Sequence, residues 1–191
     1  MSPITHLLFG WFVAEGARLE RRDWRLVAWA SVLPDLDGVG AVVDVTNQLL
    51  HRPAQGLYEQ WHHWLLHGLP AAVIFTGVLL VWARHRWRVG FLALVSIHLH
   101  LVCDLVGSRG PGPLDIWPLH YLGPVSDVLT LAWPGQWALN AWPNIALTLG
   151  LLGLTFWCAV VRGRSIVGVF SYRADALFVA TVRRRWRWGE G

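Results

Sequence analysis

The sequence predicts an all-α, membrane-embedded helical bundle with about three full transmembrane helices and shorter helices at its N-terminal end. Three observations carry this expectation. Hydrophobic residues make up 54% of the 191 positions, and the mean hydropathy is +0.41, both above an ordinary soluble domain. Fourteen tryptophans occur in so short a chain, and an amphipathic indole is favoured at a lipid–water boundary. Three apolar stretches, about 65–83, 89–106 and 144–161, each have about the length that crosses ~30 Å of hydrocarbon.

Taken in order, residues 6–17 are apolar and helix-compatible, and an arginine cluster follows at Arg18, Arg21, Arg22 and Arg25. Residues 26–33 are apolar again until Pro34, which disfavours helix at the residue before it. At 8–12 residues these two segments are too short to span unaided. Asp35-Leu36-Asp37-Gly38 is a turn-like acidic step, and the mixed segment 39–60 is expected outside the membrane core. The three stronger stretches come next. A Gly/Pro-rich loop, 107–135, separates the second from the third. Residues 1–161 read as one domain and 162–191 as an arginine-rich cytoplasmic tail. The start carries no basic n-region, so no cleavable signal peptide is expected. Cys103 and Cys158 are far apart in apolar runs and read as buried thiols.

The basic residues supply an orientation. All sixteen are arginine, and alternate apolar segments are followed by Arg18–Arg25, Arg84–Arg88 and Arg162 onward. If each segment crosses or dips in turn, all but Arg52 and Arg109 fall on one side, which the positive-inside rule makes cytoplasmic. That placement assigns the pI of about 9.8 to membrane topology, and no nucleic-acid partner is expected. A multi-pass inner-membrane protein is expected, with lipids as its surroundings. His6, Asp35, Asp37, His62, His67 and Asp104 then share the opposite side, with His100 about one turn deeper.

Those residues form short motifs. His100 and Asp104 are i and i+4, so they share a helix face and can reach one ion or two close ones. Ionisable groups at membrane depth are expensive and are functional candidates by default. Trp61-His62-His63-Trp64-Leu65-Leu66-His67 places three histidines at the mouth of an apolar stretch. His63 and His67 share a face if helix already runs there, whereas His62 and His67 converge only if it begins between them. Asp35 and Asp37 project from a turn, where carboxylates bridge metals, act as general base, or cap the next helix. His6, Asp35, Asp37, His62, His67, His100 and Asp104 exceed the four ligands of one tetrahedral zinc. The excess favours two or three divalent ions, zinc first among them, and chemistry by a bridged water. His51, His85 and His120 lack such context, and His98 is expected to face away from His100.

The order His6, Pro34-Asp35-Leu36-Asp37, His62-x4-His67 and His100-x3-Asp104 resembles the YdjM-like family of membrane-bound metal-dependent hydrolases. Gly107-Ser108-Arg109-Gly110 and Trp117-Pro118 continue the likeness, which covers roughly residues 1–130. Around the second element the family commonly carries Arg-Gly and Thr-His-Ser; here stand His63-Trp64 and Leu66-His67-Gly68, leaving Arg109 as the candidate cation. In motif order the family is similar to zinc-dependent phospholipase C, an all-helical fold with several zinc ions. The resemblance implies hydrolysis of a phosphoester or other ester, on a small-molecule or lipid-like substrate, with Asp35 or Asp37 as general base. The rival readings are a structural or sensory metal site in a non-catalytic membrane protein, and a haem-binding bundle.

Overall fold

The computed structural model describes residues 1–53 and 55–186. Eight helices dominate it: α1 (Pro3–Gly16), α2 (Arg21–Ala30), α3 (Val39–Leu49), α4 (Leu57–Trp61), α5 (Leu69–Trp82), α6 (Arg86–Gly107), α7 (Trp142–Arg162) and α8 (Tyr172–Trp186). Two 3-10 turns, Leu33–Gly38 and Ile166–Val169, and a two-stranded hairpin, β1 (Leu119–His120) with β2 (Thr130–Leu131), complete the described chain.

α6 and α7 are long and apolar enough to cross a bilayer, at about 33 and 31 Å for 1.5 Å per residue. α5, within the first of the three apolar stretches, is shorter than the sequence suggests, with 14 residues, or about 21 Å. α2 and the segment Leu33–Leu49 together have the length and apolar character of a broken span or a re-entrant loop, bent by 54°. Residues 39–49 are helix with Val42, Val45 and Leu49 facing outward. Pro34 lies at the start of the 3-10 turn between the two helices.

Carboxylates limit α5 at both ends. Asp37 Oδ2 accepts from the backbone N–H of Leu66 at 3.2 Å, just before the helix. Asp23 accepts from the N–H groups of Arg84 and His85, each at 2.9 Å, just after it. These bonds hold the chain in turns where an apolar run would otherwise continue as helix. Asp23 thereby also satisfies donors at the start of α6, which no intrahelical carbonyl reaches.

Fully buried Trp11 centres the core, packed edge-on to Trp24 and surrounded by Leu7, Val27, Ala28 and Val89. Gly10 lets α1 cross the end of α2 closely, because a Cβ there would lie 2.2 Å from Ser31 Oγ. The outward faces of α5, α6 and α7 carry exposed Val73, Ile74, Val81, Phe91, Leu149 and Phe156, as lipid contact requires. Cys103 and Cys158 are buried free thiols. Residues 172–186 of the arginine-rich C-terminal part form α8, where Arg183 donates to the Val160 and Val161 carbonyls at the end of α7. Residues 187–191 lie outside the described chain.

Arg25, Arg84 and Arg88 gather at one end of the bundle. Arg88 donates to the Ala17 carbonyl, Arg25 to Val169 and Arg84 to Glu20. From Arg88 to Asp104, α6 rises about 24 Å, so its His and Asp residues lie at the opposite end.

Candidate metal centre

Four chain segments converge on one buried group. His6 comes from the second turn of α1, Asp35 and Asp37 from the 3-10 turn, His62, His63 and His67 from the loop before α5, and His100 with Asp104 from α6. The i, i+4 pair behaves as its spacing requires, with His100 Nε2 3.0 Å from Asp104 Oδ2. Around that pair lie His6 Nε2, 3.1 Å from Asp104 Oδ1, and His67 Nε2, 3.4 Å from Asp104 Oδ2. Asp35 Oδ1 stands 3.9 Å from His100 Nε2. His6, His67, His100 and Asp104 are all almost wholly buried.

The tautomers are fixed from outside. His100 Nδ1 lies 2.8 Å from the Ser31 carbonyl, an oxygen that can only accept, so Nδ1 carries a proton. His67 Nδ1 lies 2.8 Å from Asp37 Oδ2, and His62 Nδ1 lies 2.8 Å from Asp37 Oδ1, with the same consequence. Each neutral ring is left with a bare Nε2 lone pair. A carboxylate or carbonyl behind a histidine is the usual way of presenting Nε2 to a metal. Asp37 therefore orients two imidazoles and one backbone amide with its two oxygens. Asp35 keeps Oδ2 unpartnered and lines a cleft.

The donor set fits a divalent cation. Nε2 of His67 and Nε2 of His100 are 3.0 Å apart, and both face Asp104 Oδ2. Lone pairs that close repel unless positive charge sits among them. A proton on His67 would relieve that contact alone, but His6 Nδ1 and Asp35 Oδ2 are also buried without partners, and Asp104 Oδ2 faces the two imidazole nitrogens. Leaving buried polar atoms unpaired is costly, and an ion beside Asp104, His67 and His100 would relieve the crowding of lone pairs there. Two sets of ligand atoms lie within 4.8 Å of one another: His6, Asp35, His100 and Asp104; and His62, His63 and His67. His67 Nε2 connects the two sets. Neutral imidazole with carboxylate suits zinc and its neighbours in the first transition row.

His62 and His63 both join His67 in one group. The loop is not helical there, so His63 does not reach His67 as i and i+4 on a helix. Its backbone instead adopts φ +69°, a left-handed conformation unusual outside glycine. Its ring stacks on His67, with centroids 4.7 Å apart and planes 13° from parallel. Burial pushes the His63 imidazole well below its usual value, aided by the nearby His67, and Nδ1 has no partner. Tyr58 stacks on His62, and burial with the Asp35 charge pushes its phenol up to about 12. The Met1 amino group and Ser108 hydroxyl contact Asp104 Oδ1.

The other histidines stand apart. His98 bonds to the Leu94 carbonyl and the Tyr121 hydroxyl, His85 to Asp23 at the arginine end, and His120 pairs with Asp127. A cleft of about 650 Å³ opens over the group, lined by Asp35, His62, His63 and Asp104 on one side and by Tyr58, Trp117, Arg109 and Leu139 on others. The Arg109 guanidinium is held by the carbonyls of Gln136 and Gly112.

The family model for the YdjM inner membrane protein matches residues 1–182. The chain belongs to this family. The match takes in α7 and most of α8, well past the segment that carries the histidine and aspartate motifs. No curated protein and no solved structure matches the chain. Family membership and the apolar helices together make this a helical inner-membrane protein whose buried His/Asp groups could hold a metal ion.

Proposed function

We propose that this YdjM-family chain is a metal-dependent hydrolase of phosphoesters or other esters, with its site at the non-cytoplasmic end of the bundle. The observation that carries the reading is the close approach of His67 Nε2 and His100 Nε2, 3.0 Å apart and both facing Asp104 Oδ2. The orientation is supported by the arginines at the opposite end.

In this reading His6, His67, His100 and Asp104 hold one ion, and His62 and His63 a second beside it. Zinc is the first candidate. A divalent ion supplies polarisation of the scissile group's oxygen and makes water a usable nucleophile near neutral pH. Asp35 is the general base, because it lines the cleft and keeps one oxygen without a hydrogen-bond partner, whereas both oxygens of Asp37 are engaged with histidines. Asp37 fixes the tautomers of His62 and His67, and the Ser31 carbonyl does so for His100. Arg109 faces the same cleft as a fixed cation suited to an anionic ester.

The near-complete burial of His6, His67, His100 and Asp104 also favours a second reading, a closed structural or sensory metal site. One experiment separates them. Protein purified without chelator is assayed for metal and for hydrolysis of bis(p-nitrophenyl) phosphate, beside His100→Ala and Asp104→Ala. Metal in the wild type, lost in both variants together with turnover, is expected. Metal without turnover on any ester favours the closed site, and unchanged metal content in both variants would sink the assignment.

A further inference from the structure

Two chemically different groups line the cleft. Asp35, His62, His63, Asp104 and Arg109 are charged or polar, whereas Pro3, Pro111 and Leu139 are apolar. Leu139 is tied to Arg109 by its N–H on the Arg109 carbonyl at 2.9 Å, so cation and apolar rim are rigidly related. Leu139 is half exposed, and it lies three residues before α7, whose first residue, Trp142, is 77% exposed. α1 runs alongside α7, joined to it by the Thr5–Thr148 hydroxyl bond at 2.7 Å. Beside that junction Ile4 and Ile145 both point outward, 59% and 54% exposed. The apolar rim of the cleft is thus continuous with the lipid-facing surface of a membrane-crossing helix.

Water-soluble esters gain nothing from such a rim. A molecule with an anionic head and a hydrocarbon chain matches both kinds of lining at once. We propose that the site takes an amphiphilic phosphoester from the bilayer, its head beside Arg109 and its chain over Pro111 and Leu139 toward the start of α7. This rests on the hydrolase reading for the head's chemistry, and adds the class of molecule and its path. The phosphate meets the Arg109 guanidinium in a partly buried, charge-assisted contact. Each methylene laid on the rim leaves water or headgroup for apolar surface, and burial of two suffices for about a tenfold gain in affinity.

The test is binding rather than turnover. Protein purified with its metal, at one fixed detergent concentration, is titrated calorimetrically with ethyl phosphate and with dodecyl phosphate. Dodecyl phosphate is expected to bind at least tenfold more tightly. Leu139→Asn should remove that preference with metal content unchanged. Pro111→Asn serves as a second rim variant should Leu139→Asn fail to fold. Leu114→Asn, at a 91% exposed position outside the cleft lining, should leave the preference unchanged and so exposes general micelle partitioning. Equal affinity for the two phosphates, no binding of either, or a preference that survives at both rim positions would overturn the proposal. A retained preference with no turnover of any phosphoester would sink the hydrolase reading alone. Turnover of short phosphoesters without any chain-length preference would sink this one alone.

Discussion

Asp37 spends its two carboxylate oxygens on two histidines, Oδ1 on His62 and Oδ2 on His67, each at 2.8 Å. The second oxygen also accepts the Leu66 amide. One buried side chain thereby decides which nitrogen each imidazole presents to the cleft.

Asp37→Asn puts this to a test with little change in shape. An amide has one acceptor oxygen for three donors, so at least one histidine loses its tautomer lock. Metal affinity should fall about 10–100-fold, the usual effect of losing a group behind a ligand. Competition with a calibrated zinc chelator reads this directly. Undiminished affinity would remove Asp37 from the role given to it.

Metal removal should lower thermal stability. An ion that binds only the folded chain adds about 2.7 kcal/mol when present at 100 times its Kd. Chelation should therefore move the melting temperature of detergent-solubilised protein down, and re-addition of zinc should restore it. Neither shift is expected in Asp104→Ala, which lacks the shared ligand.

Gly123 lies where the hairpin meets the histidine loop. A Cβ there would stand 2.4 Å from the Trp64 carbonyl, well inside contact distance. Gly123→Ala should push residues 62–67 away from α6. Metal affinity should drop, while the helical content seen by circular dichroism stays the same. Wild-type affinity in this variant would show that the loop is held from elsewhere.

Asp23→Ala probes the opposite end. It leaves the part-buried Arg84 and His85 amides without their acceptor, at a cost of about 0.5–1.5 kcal/mol for each hydrogen bond lost. Melting should come earlier with metal stoichiometry unchanged, because Asp23 lies at the arginine end, far along α6 from the site.

Much of the site is legible from spacing alone. His100 and Asp104 need only an unbroken helix to share a face, and α6 supplies it. His6 and the two aspartates are recovered by sidedness, since alternate arginine clusters leave one end of the bundle to them. The roles of Asp35 and Asp37 are not legible, because spacing puts both on one turn but does not say which faces His62 and His67. The choice between His62 and His63 is not legible, because it depends on a left-handed backbone at His63, a property that periodicity does not encode. The shortness of α5 is missed for a related reason. Hydropathy registers apolar length around residues 65–83, but not the distant carboxylates bonded to both flanks of α5. Nor does it show that helix resumes at Val39, soon after Pro34.

The shortness of α5 has a mechanical consequence. At about 21 Å it is well short of a ~30 Å hydrocarbon layer, and its flanks are pinned, so it cannot lengthen to fit. If α5 crosses the layer, the surrounding lipid must thin locally to meet it, at a fraction of a kcal/mol per Å of mismatch. The histidine loop caps the end of this helix, so bilayer thickness pulls directly on the segment that completes the cleft. Thicker membranes should strain that segment, and reconstitution across lipids of 14 to 20 acyl carbons would register it as a graded loss of metal affinity. Host-membrane composition would then act on this protein as hydrophobic tension, with no ligand required.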